Sequence, residues 1–194
     1  MMMINPIELI GVWDKGFAMD YHTVSSIIIG EDPFGHLQFE NTYTSIGDTL
    51  NKFKYKNQYD RLYVIVDVMN SFLAEYPEMR DVQVVLPAPP SKKIRAYQPA
   101  FEIAELLAKK MNIPYSHKVL QNMTDYEYKN LTKEDKSSMH GMIKKNLMAK
   151  YNINVLLIDD VYDTGSTLRQ CTEALKLDPN IDKVFVLTVT KTRK

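Results

Sequence analysis

The stretch that decides the fold is Val155-Leu156-Leu157-Ile158-Asp159-Asp160-Val161-Tyr162-Asp163-Thr164-Gly165-Ser166-Thr167. Four consecutive apolar residues read as a central strand buried on both faces, the pattern of a parallel sheet. Two adjacent carboxylates follow at its C-terminal end, the edge where open α/β sheets bind ligands. Asp163 to Thr167 then form a short loop that opens a helix. Gly165 lets backbone approach a ligand closely, and Thr164, Ser166 and Thr167 supply hydroxyls. Free N–H groups and the positive dipole end at a helix start favour a phosphate. The stretch thus places an anion cradle beside a carboxylate pair. That combination suits a sugar phosphate whose vicinal hydroxyls meet the acids. The plainer alternative is a buried strand followed by a helix capped by Asp163 or Thr164. A Walker B reading lacks its partner, since no G-x-x-x-x-G-K-[ST] occurs, and no G-x-G-x-x-G occurs either.

Working outward, Val184 to Val189 reads as a further strand after the helix Thr167 to Leu177. Upstream, Val82 to Leu86 is a buried-type strand ended by Pro87-Ala88-Pro89-Pro90, and Pro99 to Met111 is an amphipathic helix with proline at its start. Ile46, Leu50 and Phe53 carry helical spacing, continued in a second helix by Tyr63, Val66, Met69 and Leu73. Strands alternating with helices predict an α/β fold, a central mostly parallel sheet flanked by helices. Residues 1–44 read differently. Ile7 to Trp13 is apolar, Asp14-Lys15-Gly16 is a turn signal, Phe17 to Thr23 partly alternates, and Ser25 to Ile29 and Leu37 to Phe39 are short strand-like runs. The expected division is a small N-terminal β-rich hood, 1–44, capping an α/β domain of residues 45–194.

The stretch 155–167 resembles the motif with which type I phosphoribosyltransferases bind phosphoribosyl pyrophosphate (PRPP). The resemblance implies that Asp159 and Asp160 hold the ribose 2′- and 3′-hydroxyls and act in catalysis. It likewise implies that Asp163, Thr164, Gly165, Ser166 and Thr167 bind the 5′-phosphate. A second segment narrows the likeness: Arg95-Ala96-Tyr97-Gln98-Pro99-Ala100-Phe101-Glu102-Ile103-Ala104 is similar to the R-G-F-N-Q-A-x-x-L-A stretch of ComF-like phosphoribosyltransferases. It departs from that pattern at Ala96, Gln98 and Pro99. Just before it, Ser91, Lys92, Lys93 and Arg95 are candidates for the pyrophosphate. Residues 125–150 fall where this family carries a mobile loop, with Lys136 standing near the place of a usual arginine. The likeness covers about residues 45–194. It implies transfer of ribosyl 5-phosphate to a small-molecule nitrogen acceptor with release of pyrophosphate. It also implies Mg²⁺ held mainly through the ligand and water, and a homodimer as a family-level expectation. The alternative is a binding protein that senses PRPP or a nucleotide, or acts through partners in DNA uptake, without catalysis.

Composition sets the outer bounds. The chain has 194 residues, 24 basic against 24 acidic, and 45% apolar residues. Those are ordinary globular values. No run approaches the ~20 apolar residues of a membrane span, no secretory signal is visible at the start, and the expected compartment is the cytoplasm. Cys171 is the single cysteine, which excludes a four-cysteine zinc module, and His22, His36, His117 and His140 show no metal-ligand spacing. Zero net charge argues against bulk nucleic-acid binding. The charges are unevenly placed: residues 1–50 hold one lysine and seven acids, whereas residues 128–150 hold six lysines and two acids. Trp13 to Thr23 is the densest aromatic cluster of the N-terminal part, readable as an acceptor hood or as a small core.

Overall fold

The computed structural model describes residues 2–90, 97–123 and 142–193. In chain order the elements are β1 (Ile7–Glu8), β2 (Lys15–Tyr21), β3 (Thr23–Glu31), β4 (Leu37–Tyr43), α1 (Ser45–Tyr55), α2 (Arg61–Ala74), α3 (Pro77–Arg80), β5 (Val84–Pro87), α4 (Pro99–Met111), β6 (Leu120–Asn122), β7 (Ile143–Lys145), β8 (Ile153–Tyr162), α5 (Ser166–Lys176) and β9 (Ile181–Lys191). The main sheet runs β1-β2-β9-β8-β5, parallel except for the short antiparallel β1. This is the expected α/β architecture with helices on both faces.

Alternation along the strands divides the core. Leu156, Ile158, Phe185, Leu187, Phe17 and Met19 pack under α1, α2 and α4, against Ile46, Leu50, Phe53, Met69 and Leu107 among others. The intervening residues Val155, Leu157, Val184, Val186 and Ala18 pack against Leu168, Cys171 and Leu175 of α5 and against Leu120 and Ile143 of the small β6–β7 ribbon. Successive strand residues point to opposite faces, so both sides of β8 and β9 are dry. This explains the unbroken apolar run at 155–158. Cys171 is fully buried, and burial pushes its thiol up, so it is a core residue.

Residues 1–44 do not form a cap of their own. Asp14-Lys15-Gly16, expected as a turn, leads straight into β2, an inner strand between β1 and β9. The reason is local packing. A Cβ on Gly16 would lie 2.6 Å from the Trp13 indole nitrogen, so this glycine makes room for the ring. That nitrogen donates to the Leu9 carbonyl (2.6 Å). The Asp14 N–H and carboxylate bond across to Val184 on β9. Trp13 and Phe17 are therefore core residues, Phe17 lying against Phe72 and Tyr76. Only β3 and β4 stand apart, as a two-stranded ribbon with Ile27, Ile28, Ile29 and Phe39 exposed. Thr44 ends the ribbon and starts α1, its hydroxyl donating to the Tyr21 carbonyl (2.6 Å) and accepting from the Gly47 N–H (3.0 Å).

Candidate functional site

β8 continues past its buried section, and Asp159 and Asp160 lie within it, Asp159 opposite Thr188 of β9. They stand near the C-terminal edge of the parallel strands, as the sequence predicts. The alternation that buries both faces also splits the pair. Asp160 reaches the α1 side, where Lys54 Nζ lies 2.8 Å from its carboxylate, with the two side chains 11% and 19% exposed. Asp159 accepts a hydrogen bond from the Asp160 N–H (2.8 Å). Burial first, then the Asp160 charge, push the Asp159 carboxyl up to about 7; the Asp160 N–H bond and Lys54 offset this only in part. Both carboxylates open into a cavity of about 310 Å³ shared with Lys54, Pro90, Gln98 and Thr167.

The loop after β8 turns at Gly165, whose φ of 75° and ψ of 3° lie in the left-handed region. A Cβ there would sit 2.5 Å from the Tyr162 hydroxyl, so glycine is required twice over. Gly165 is itself the N-cap of α5, so neither Asp163 nor Thr164 holds the N-cap position that the plainer alternative gave them. From the position before it, Thr164 Oγ1 accepts from the Ser166 N–H (3.3 Å), and Asp163 accepts from the Thr192 hydroxyl (2.8 Å). Asp163, Thr164 and Ser166 are exposed. A helix start whose N-cap is a glycine, beside exposed hydroxyls, can take an anion on its remaining N–H groups.

The loop divides two cavities. Thr167 faces the one that holds the carboxylates. Asp163 and Thr164 face another of about 470 Å³, completed by Tyr21, Tyr162, Lys191, Thr192 and Arg193 at the C-terminal ends of β2, β8 and β9. His22 closes the neighbourhood. Its Nδ1 is 3.1 Å from Thr190 Oγ1, its ring meets Tyr43 edge-on, and burial together with the Lys54 charge lowers its pKa below the ordinary value.

Of the five loop residues, Thr167 shares a cavity with the two acids, whereas Asp163 and Thr164 line the other cavity and Gly165 and Ser166 lie between. Ser91, Lys92, Lys93, Arg95 and Lys136 lie outside the described residues. Pro90 and Gln98, the nearest described residues lining the cavity, flank the first group. Lys145, counted above among the lysines of the mobile-loop region, is structural. It pairs with Asp178 at 2.6 Å, with the side chains 7% and 0% exposed. Lys54, His22, Lys191 and Arg193 carry no motif signal, because only the fold brings them to the loop. Among the described residues no group of three or more His, Cys, Asp or Glu could hold a metal. The donor set nevertheless fits Mg²⁺, a hard cation satisfied by one or two carboxylates plus ligand oxygens and water. Asp159 is the freer carboxylate for it, Lys54 already holding Asp160.

No family model matches the chain. It is 30% identical over 122 residues to competence protein ComFC of Bacillus subtilis, a match covering 62% of this chain and 49% of that one. The chain therefore spans about half the length of this curated relative. The match supports the family-level resemblance read from the sequence. Solved structures similar to it include a purine phosphoribosyltransferase from Pyrococcus horikoshii (20% identity, 68% of this chain and 85% of that one, TM-score 0.42). Another is the adenine phosphoribosyltransferase of Trypanosoma brucei in complex with AMP, pyrophosphate and ribose-5-phosphate (13% identity, 97% and 86%, TM-score 0.44). Among the described residues no helix is long and apolar enough to cross a membrane.

Proposed function

Taking the chain as a ComF-like relative of the type I phosphoribosyltransferases, we propose that it binds PRPP and transfers its ribosyl 5-phosphate group to a nitrogen acceptor, releasing pyrophosphate. The observation that carries this reading is a juxtaposition. Two adjacent carboxylates at the C-terminal edge of a parallel strand share a cavity with the last residue of a glycine-turned loop that opens a helix.

In this reading the start of α5 and the hydroxyls of Thr164, Ser166 and Thr167 hold the 5′-phosphate. Asp159 and Asp160 accept the ribose hydroxyls. As the bond to pyrophosphate lengthens, positive charge grows on the ribosyl ring, and carboxylates fixed a few ångströms away stabilise it. Asp159 is suited to this task. Its charge is disfavoured in the free site and is relieved by a cationic partner, so its interaction strengthens as the ring becomes positive. Ser91, Lys92, Lys93 and Arg95 are the proposed cations and donors for the departing pyrophosphate, and Lys136 for the loop that covers it. Mg²⁺, when bound, supplies charge neutralisation of the pyrophosphate oxygens.

A second reading, binding of PRPP without efficient transfer, is favoured by the Lys54–Asp160 ion pair, which neutralises one of the two acids. Titration with PRPP, with and without Mg²⁺, tests the binding step. Wild-type protein binds, and the double variant Asp159→Asn, Asp160→Asn loses the affinity. Unchanged affinity in the double variant would sink the assignment. Pyrophosphate release with purines, pyrimidines, ammonia and water as acceptors then separates the two readings.

A further inference from the structure

The β3–β4 ribbon has no core beneath it. It leaves the C-terminal edge of the parallel strands just after Tyr21, rooted by the His22–Tyr43 ring contact and by Thr44. From Val24 to Thr42 every residue except Asp32 is exposed. A free-standing two-stranded ribbon is marginal in water and gains stability when something packs on it. Its register sorts its faces. Ile28 stands opposite Phe39 and Glu31 opposite Leu37, and alternation puts Leu37 and Phe39 on one face. That face presents three large apolar side chains, Ile28, Leu37 and Phe39, exposed by 57%, 48% and 50%, beside one acid, Glu31.

At the opposite edge of the sheet, where β5, β8 and β9 begin, lies a cavity of about 280 Å³. Val84, Leu86, Val155, Leu175 and Ile181 line it, and Leu147, Met148 and Tyr151 form its exposed mouth. Of the charged groups in its lining, Lys145 and Asp178 pair with each other. Lys150 is exposed and, among the described residues, in no ion pair. The volume falls just below the roughly 300–1,000 Å³ of pockets that enclose small organic ligands. It suits an inserted side chain better than a free small molecule. Exposed apolar surface of this kind marks a contact with another macromolecule.

The two surfaces are complementary, an apolar face with one unpaired acid and an apolar mouth with one unpaired lysine. They lie at opposite ends of the strands, so they meet between copies rather than within one. Two ribbons facing each other across a two-fold axis would instead set acid against acid. We infer that the ribbon of one copy seats its Ile28, Leu37 and Phe39 face on the Leu147, Met148 and Tyr151 mouth of a second copy, head to tail, with Glu31 toward Lys150. Each contact leaves one ribbon and one mouth unused, so assembly continues past the dimer unless the rotation closes a ring. Only one face of a narrow ribbon is covered. The interface is therefore at the low end, on the order of 1,000 Å² in total, and its dissociation constant is about micromolar. The contact holds whether or not the protein transfers ribosyl 5-phosphate.

Sedimentation velocity of the full chain, from about 1 to 100 µM, reads the assembly directly. Wild-type mass rises with concentration and passes the dimer or stops at a closed ring. Phe39→Lys sets a like charge toward Lys150, and Met148→Asp does the same toward Glu31. Each lowers the association constant by about tenfold or more. An equimolar mixture of these two variants recovers a 1:1 complex that grows no further, because one copy keeps its mouth and the other its ribbon. Both substitutions fall on exposed side chains, and Ile28→Lys with Leu147→Asp is a second pair read in the same way. Glu31→Lys weakens association by up to about fivefold, and adding Lys150→Glu restores it. Wild-type protein that stays monomeric at every concentration overturns the inference. An unchanged association constant in Met148→Asp does so too, since a two-fold contact between ribbons would not involve that residue. Folded single variants, checked by circular dichroism, that fail to form the 1:1 complex when mixed overturn it as well.

Discussion

Asp159→Asn makes the protein more stable at neutral pH while removing its ligand affinity, and the size of the gain follows from the carboxyl's surroundings. The folded protein holds this group with a pKa raised to about 7 against an ordinary 3.8. Between those values the folded chain binds more protons than the unfolded chain, so stability falls as pH rises through the window and is level above it. At about 1.4 kcal/mol per unit, the full shift corresponds to roughly 4 kcal/mol. Asp159 is only half-buried, and screening by solvent reduces this to about 2 kcal/mol at pH 8 and about 1 kcal/mol at pH 5. Asparagine keeps an oxygen for the Asp160 N–H and drops the charge. Thermal unfolding therefore shows a midpoint raised by about 4–8 °C at pH 8, with a smaller increase at pH 5. The same variant titrated with PRPP and Mg²⁺ binds weakly or not at all. A gain independent of pH, or a loss of stability at pH 8, would refute the reasoning, because the Asp159 charge would then not be strained in the free site.

Two further variants probe the surroundings. Gly165→Ala forces a side chain into the left-handed region and against the Tyr162 hydroxyl; it costs about 1–2 kcal/mol in denaturant unfolding and lowers PRPP affinity more than tenfold, with equal affinity in wild type and variant the contrary result. Lys145→Met leaves Asp178 buried without its ion-pair partner. Burial alone would raise that carboxyl, but the hydrogen bonds from Lys145 and from the Ala149 and Asn180 N–H groups hold it below the ordinary range. Its contribution is therefore present above the ordinary carboxylate pKa and fades as pH falls through the lowered value. Removing the lysine costs about 3 kcal/mol at pH 7, and a loss that does not shrink toward pH 3 would contradict this account.

What could be read from the chain alone was what neighbouring residues decide among themselves. The strand and loop at 155–167, helix α4 with its starting proline, and the buried Cys171 each follow from local pattern. The strand itself ran longer than its apolar core, because β9 continues to pair with β8 beyond Ile158 as far as Tyr162. Asp14-Lys15-Gly16 looked like a turn by composition, yet Gly16 is small to admit the Trp13 ring, a tertiary reason that leaves no local trace. Lys145 looked like one more loop cation until Asp178 was seen beneath it. Lys54 lies on α1, and its ion pair with Asp160 exists only because the fold brings α1 to the end of β8. Arg193 reaches Thr23 across 170 positions and His22 reaches Thr190 across 168. The cavity lined by Tyr21, Tyr162, Lys191 and Arg193 is assembled from such long separations, so no spacing rule could have announced it.

The placement of β9 bears on how the molecule comes into being. It is the last strand in this sequence, yet it lies between β2 and β8. As a chain is synthesised from its N-terminus, β2 and the β5–β8 pair emerge as two fragments with no shared edge. Each exposes unpaired backbone and apolar side chains until residues 181–191 arrive to join them. Both cavities flanking the loop after β8 depend on that joining, since Lys191, Thr192 and Arg193 line one and β9 braces the strand that carries the acids of the other. Ligand affinity should therefore appear late and in a single step during biosynthesis, and a nascent chain halted before residue 181 should be a substrate for chaperones rather than for PRPP.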